Sequence, residues 1–176
     1  GRFAGYDKWR CDDLQTVLDD PSIAGVLCSR GGYGTMRIID KIDFACFRKH
    51  PKWVIGFSDI TVLHAVLNKQ GYASIHGAMA KAIAHESNNR ESVEALKDTL
   101  FGNKLSYTLP SSGYNRRGKA TGQLVGGNLS LLYALLGTSY NPIKQGAVLF
   151  IEDVSEALYH VDRMLQALRL SGVFDR

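Results

Sequence analysis

Apolar and polar positions change period several times along the chain, and each change predicts an element. Over residues 12–20 (DDLQTVLDD), Leu14, Val17 and Leu18 share one helical face, and Pro21 stops the helix. Ile23–Cys28 is an unbroken apolar run of strand length, the pattern of a strand buried on both faces of a parallel sheet. It ends in the glycine-rich stretch Ser29–Gly34 (SRGGYG). Thr35–Ile42 predicts a short helix with Met36, Ile39 and then Ile42 turned inward. Pro51 opens a second apolar strand, Trp53–Phe57, which breaks at Ser58-Asp59 into a helix reaching Lys69. That helix buries Leu63, Val66 and Leu67 and ends at Gly71. Residues 72–76 (YASIH) make a third short strand. The order α-β-α-β-α-β predicts an α/β fold with an open parallel sheet flanked by helices.

From Met79 the strand pattern fades. Residues 79–118 read as a connecting region with one helix, Glu91–Phe101, a strand-like piece, Leu105–Leu109, and a loop at Ser111–Asn115. A second unit starts at Lys119. It has a strand at Ala120–Val125, a turn at Gly126-Gly127-Asn128 and a helix at Leu129–Leu136 before Gly137. A strand at Ala147–Ile151 and a helix at Leu158–Leu170 follow, the latter with Leu158, Val161, Leu165 and Leu168 on one face. The organisation is thus 1–78, an α/β domain; 79–118, a connection; and 119–176, the start of a second domain. The three strands of the first unit fall short of the roughly five or six of an open α/β sheet. Strands are therefore expected beyond both ends of these residues, and position 1 carries no Met, as in a trimmed or partial chain.

Composition narrows the classes. With 45% apolar residues the chain has material for a packed core, which excludes wholesale disorder. No apolar run reaches the roughly 18–20 residues of a membrane helix, and the start lacks a signal-peptide pattern. The net charge of +4 is spread along the chain. Its densest basic spots, Arg48–Lys52 and Arg116–Lys119, are not interleaved with aromatics. They read as solvated surface, and no nucleic-acid partner is expected. Cys11, Cys28 and Cys46 form no CxxC pair, which suits a reducing compartment, and Cys28 reads as a small core residue. The five histidines show no HxxxH or HExxH spacing, so no metal site is expected.

Four places could carry chemistry. Gly56-Phe57-Ser58-Asp59 lies between an apolar strand and an amphipathic helix. A serine there is exposed at the strand's end, with the helix N-terminus beside it and the Asp59 N–H aimed at a developing oxyanion. Its other reading is an ordinary N-cap at Ser58. The fifth position is Ile60, so the G-x-S-x-G elbow of the α/β-hydrolases does not fit. Arg30–Gly34 (RGGYG) follows the first strand. Its backbone N–H groups could cradle an anion, or it is a tight turn. Both places lie at C-terminal strand ends, where open α/β sheets bind ligands. Glu152-Asp153 closes the strand AVLFI and either decorates a helix N-terminus or supplies an acid that orients a histidine for Ser58. Gly126-Gly127-Asn128 reads as a turn with Asn128 as N-cap. Tyr159, Asp162 and Arg163 read as surface salt-bridging.

Taken together, RGGYG (Arg30–Gly34), PKWVIGFSDIT (Pro51–Thr61), HGAM (His76–Met79), GGNLSLL (Gly126–Leu132), LLGTSYNP (Leu135–Pro142) and LFIEDVSEALYHVDRML (Leu149–Leu165) resemble the LD-carboxypeptidases, serine peptidases of murein peptides. The resemblance spans almost the whole chain in the family's order. It implies the N-terminal α/β domain and a C-terminal domain of mixed, barrel-like α/β character, both incomplete within these residues. It implies a Ser-Glu-His triad, with Ser58 as nucleophile and Glu152 as acid. The oxyanion donors would be the N–H of Asp59 and one N–H at Gly31 or Gly32. Arg30, Tyr33 and His76 become candidates for substrate contacts; Arg30 either meets the free D-Ala carboxylate or pairs structurally with an acid. The reaction implied is removal of the terminal D-alanine from a murein tetrapeptide, in cytoplasmic cell-wall recycling, by a homodimer needing no metal or cofactor and no membrane. The family's catalytic histidine lies in a Gly-His motif downstream of Asp162–Leu165, a position that none of the five histidines here occupies. Alternatives are a relative resembling the microcin-immunity peptidases, which act on peptidyl-nucleotide conjugates, a non-catalytic α/β module binding a peptide or phosphate, and nucleotide binding by the glycine-rich loop. No nucleotide fingerprint occurs to support the last.

Overall fold

The computed structural model describes residues 4–84 and 90–175. Readings that involve Gly1–Phe3, His85 or Arg176 lie outside the described residues. In chain order the elements are α1 (Asp7–Asp19), β1 (Gly25–Leu27), α2 (Ala45–Lys49), β2 (Trp53–Gly56), α3 (Thr61–Lys69), β3 (Ile75–His76), α4 (Ala80–Ile83), α5 (Arg90–Leu100), β4 (Leu124–Asn128), α6 (Leu129–Leu135), β5 (Val148–Glu152) and α7 (Leu158–Leu170). Single 3-10 turns sit at Thr35–Arg37, Ile39–Lys41, Ser58–Ile60 and Val173–Asp175.

Two parallel sheets result. The first runs β1-β2-β3, with Leu27 opposite Ile55 and Gly56 opposite His76. The second pairs β4 with β5 from Leu124↔Val148 to Asn128↔Glu152. This is the parallel, helix-flanked α/β architecture that the apolar runs predict. The first core gathers Leu18, Phe47, Val54, Val62 and Leu67, all fully buried, between α1, α2, β2 and α3. Each such side chain contributes about 1.5–3 kcal/mol relative to exposure. Gly71 takes φ +86° just after α3, as a helix-ending glycine does. A second core packs Leu129, Ile143, Met164, Leu168 and Val173 between α6 and α7.

Several local expectations need correction. β1 is not buried on both faces within these residues: Leu27 is 42% exposed, and β2 is its one strand neighbour among the described residues. Thr35–Ile42 forms two 3-10 turns rather than one helix, although Ile39 and Ile42 do face the core. The five-residue α2 has too few positions to show a period in the sequence. Leu105–Leu109 is no strand; it is exposed throughout and pairs with nothing in either sheet. Gly126-Gly127-Asn128 is not a turn but the end of β4, and its two glycines adopt φ +148° and +137° against neighbouring chain. Leu158 starts α7 but is 87% exposed, off the buried Met164–Leu168 stripe.

Lys52 is not solvated surface either. It is buried, and its Nζ donates to the carbonyls of Val17 (2.9 Å) and Asp20 (2.6 Å). The cation thus closes the negative end of α1. Cys28 is partly buried, and burial pushes its thiol up to about 11.

Candidate active site

The three strands of the first sheet end on one edge. β1 runs into the glycine-rich loop, β2 into Phe57-Ser58-Asp59, and β3 ends at His76. Ser58 takes φ +62°, a left-handed conformation that costs a residue with a Cβ of order 1–3 kcal/mol. Gly56 makes the turn possible: a Cβ there would lie 2.9 Å from the Ile60 side chain. Ser58 is half-buried, and its hydroxyl has no hydrogen-bond partner among the described residues. Neither the 3-10 turn nor α3 has a side-chain cap, so Ser58 is not an N-cap.

The glycine-rich loop folds over this serine. A Cβ on Gly31 would sit 2.9 Å from Ser58 Cβ and 3.0 Å from its Oγ. Gly32 and Gly34 take φ +146° and +129°. Gly34 rests on the guanidinium of Arg10, which pairs with Asp7, and Asp7 also holds Arg37 at 2.7 Å. These cations hold the Asp7 carboxyl down near 2, with Arg37 the larger cause. Arg30 is exposed and makes no hydrogen bond or ion pair among the described residues, and Tyr33 is 60% exposed beside it.

The serine turn is tied down on three sides. Asp59 is buried, and its Oδ2 accepts from the Thr35 N–H (2.9 Å) and hydroxyl (2.7 Å). Thr61 is fully buried, and its Oγ1 accepts from the N–H of Asn128 at 3.0 Å. His64 bridges the Gly56 carbonyl and the Ser74 hydroxyl, both at 2.8 Å. Burial lowers the pKa of His64 below its ordinary value, and the hydrogen bond to Gly56 partly offsets this. It sits behind the turn, as its position along α3 predicts.

The second sheet meets the first through Thr61. Asn128 ends β4, caps α6 by accepting from Leu131, and lies in register with Glu152 at the end of β5. Glu152 and its neighbour divide the work between them. Asp153 accepts from the N–H groups of Ser130 and Val154, which is the helix-end decoration. Glu152 keeps a buried Oε1 with no hydrogen-bond partner among the described residues. Burial raises its carboxyl, the charge of Asp153 raises it further, and a hydrogen bond with Asn128 partly offsets both.

His76 closes the gap between the sheets. Its ring lies 6.0 Å from Phe57, 6.1 Å from His64 and 5.0 Å from Phe150 of β5. Its Nδ1 is buried without a partner among the described residues, and burial, then His64, lower its pKa to about 4. Two clefts flank this ring. One of about 300 Å³ begins at Phe57, next to Ser58, and the other, of about 580 Å³, runs between α3 and β4. No cluster of three or more metal-ligating side chains occurs among the described residues, and no helix there is long and apolar enough to cross a membrane. On α7, Arg163 lies 5.5 Å from the Tyr159 ring, while Asp162 and Arg163 form no ion pair among the described residues.

The sequence singled out Ser58, Asp59, Gly31 and Glu152 from motifs. It missed the three ties at Thr35, Thr61 and His64, which join residues distant in the chain. An acid directly after the serine, with a threonine at the end of a glycine-rich loop, was the one signal on offer for the first of them.

Comparison with known proteins places this geometry in a family. Residues 1–77 match the model of the LD-carboxypeptidase N-terminal domain and residues 121–176 that of the LD-carboxypeptidase C-terminal domain. A probable murein peptide carboxypeptidase of Bacillus subtilis is 41% identical, over 98% of this chain and 55% of that protein. The crystal structure of a muramoyltetrapeptide carboxypeptidase from Oxalobacter formigenes superposes with a TM-score of 0.83 at 32% identity, covering 99% of this chain and 61% of that one. An MccF-like protein from Bacillus anthracis gives 0.84 at 30% identity, covering 97% and 60%. The chain thus spans a little over half the length of the relatives it matches. With both domain models matched in order, the chain belongs to the LD-carboxypeptidase family.

Proposed function

We propose that the full-length protein carrying this chain is a serine carboxypeptidase that hydrolyses the L,D-amide bond to the terminal D-alanine of murein tetrapeptides. The observation that carries this reading is Ser58: a strained φ of +62° and a hydroxyl without a hydrogen-bond partner among the described residues, so close to Gly31 that a Cβ there would lie 3.0 Å from Oγ. Strain of this kind marks nucleophile turns.

In this mechanism Ser58 Oγ attacks the carbonyl of the diaminopimelate–D-Ala bond and gives its proton to a histidine. The base is not His64, whose two ring nitrogens are already engaged, nor His76, whose pKa near 4 makes it a poor proton acceptor. The base is a histidine outside these 176 residues, as the resemblance implies. Glu152 orients that histidine through Oε1, which has no hydrogen-bond partner among the described residues. The N–H of Asp59 and one N–H at Gly31 or Gly32 receive the developing oxyanion. The histidine then protonates the leaving amine, D-alanine departs, and water releases the acyl-enzyme. Arg30, exposed and without an ion pair among the described residues, faces the free carboxylate of D-alanine, with Tyr33 and His76 as walls of the site. Residues 1–78 bring the nucleophile, 119–176 the acid, and 79–118 connect them. The protein works as a cytoplasmic homodimer on cell-wall fragments, without nucleic-acid or membrane partners.

Release of D-alanine from a murein tetrapeptide by the full-length protein tests this. Ser58→Ala is expected to lower kcat by about 10³-fold or more. Full-length protein that releases no D-alanine, or a Ser58→Ala variant that still does, contradicts the reading. The likeness to the MccF-like structure, at a TM-score of 0.84, favours a second reading, the peptidyl-nucleotide conjugates that the sequence resemblance offers as an alternative. Turnover of such a conjugate in preference to the tetrapeptide would favour it.

A further inference from the structure

We infer that the Asp59 side chain is a positioning residue that locks the two halves of the oxyanion site to each other. This rests on the proposed serine chemistry and adds a component to it. The two candidate donors belong to separate pieces of chain: the Asp59 N–H follows β2, and the Gly31–Gly32 N–H groups follow β1. Their separation is not set by strand pairing, because the β1–β2 register ends at Leu27↔Ile55. The intervening loop is glycine-rich, with Gly32 and Gly34 at positive φ, and such backbone has little stiffness of its own.

One side chain bridges the gap. Asp59 Oδ2 takes both donors of Thr35, the residue that ends the loop, at 2.9 and 2.7 Å. The same residue therefore offers its N–H to the oxyanion and fixes, through its carboxylate, the loop that brings the other N–H. The carboxylate is buried, yet no Lys, Arg or His pairs with it among the described residues. A buried polar group must be hydrogen-bonded, and the two Thr35 donors satisfy Oδ2 while joining the two pieces of chain. The arrangement makes sense as a geometric device, because oxyanion donors work only when held in place before the reaction.

The test reads Ser58 reactivity without assuming the natural substrate. In the full-length protein, the second-order rate of Ser58 labelling by a fluorophosphonate is measured for wild type, Asp59→Ala, Asp59→Asn and Thr35→Val, with Ser58→Ala as blank. D-alanine release is measured alongside. Asp59→Ala is expected to slow labelling by about 10²-fold, with KM for the tetrapeptide changed by less than about threefold. Asp59→Asn, whose Oδ1 can accept the same two hydrogen bonds, should recover at least about tenfold of that loss. Thr35→Val, which removes only the hydroxyl donor, should cost about fivefold. Labelling of Asp59→Ala within about threefold of wild type overturns the inference, as does an Asp59→Asn variant no better than Asp59→Ala. A wild type that is not labelled at Ser58 overturns it together with the serine mechanism. Labelling that follows this order without D-alanine release leaves the inference standing and removes the murein substrate.

Discussion

β2 runs on through Phe57 to Ser58 and β5 ends at Glu152, yet β2 buries three of its four residues, whereas β5 buries none fully. β2 is the central strand of its sheet, hydrogen-bonded to β1 and β3, and α3 packs seven consecutive buried residues, Thr61–Leu67, behind its end. β5 has β4 alone as partner among the described residues, and Ile151 remains 36% exposed. The two ends are therefore placed by different means. Packing around β2 and α3 offsets the strain at Ser58. Glu152 is placed by strand register, Asn128↔Glu152, and by the seam where Thr61 meets Gly127 and Asn128.

If that seam joins the two regions, breaking it should have the largest effect. A Cβ on Gly127 would lie 2.5 Å from Thr61 Oγ1, at a φ of +137° that a side chain tolerates poorly. Gly127→Ala is expected to cost about 3 kcal/mol or more in a denaturant titration of the full-length protein, and to lower activity as well. Within the first region, Leu67→Ala should cost about 2–5 kcal/mol by the same measurement, because the fully buried side chain leaves a cavity. Gly31→Ala separates placement from stability. Its φ is ordinary, but its Cβ would press on Ser58 at 2.9 Å. The expected result is about 10²-fold lower kcat with little change in melting temperature.

A smaller effect concerns pH. The folded-state pKa of His76 lies near 4, below its ordinary 6.5, so the unfolded chain binds the proton more readily. His64 is shifted in the same direction. Their contribution to stability is complete above about pH 6.5 and declines as pH falls toward 4. Glu152, shifted upward, opposes this, and Asp7 enters only below its ordinary 3.8, as pH falls toward about 2. Melting temperatures from pH 7 to pH 4 should fall, and His76→Phe should make that fall shallower. The smallest effect belongs to the second region's surface: Leu158→Ser, at an 87% exposed position, should change stability by less than about 0.5 kcal/mol.

Periodicity was most informative where elements are long and half-buried. The α7 pattern gives Leu158–Leu170 in both sequence and structure, because thirteen residues contain several turns of a buried stripe. It misled where a composition cue stood in for a contact. Gly126 and Gly127 look like a turn, yet they extend β4, since Phe150 and Thr61 leave no room for side chains there. Leu105–Leu109 alternates like a strand but finds no partner strand among the described residues. For the site, the strand-to-helix junction at Ser58 was legible from local pattern. The ties Asp59–Thr35 and Thr61–Asn128 were not, because they span 24 and 67 residues of sequence and appear only once the strand ends converge.

The central claim is that Ser58 and Glu152, placed by such different means, act as one unit. A double-mutant cycle on D-alanine release by the full-length protein tests it most directly, with Ser58→Ala, Glu152→Ala and the pair. The account predicts a large loss for each single variant and a double variant no slower than Ser58→Ala alone. Losses that multiply in the double variant, or a Glu152→Ala variant as fast as wild type, would contradict it.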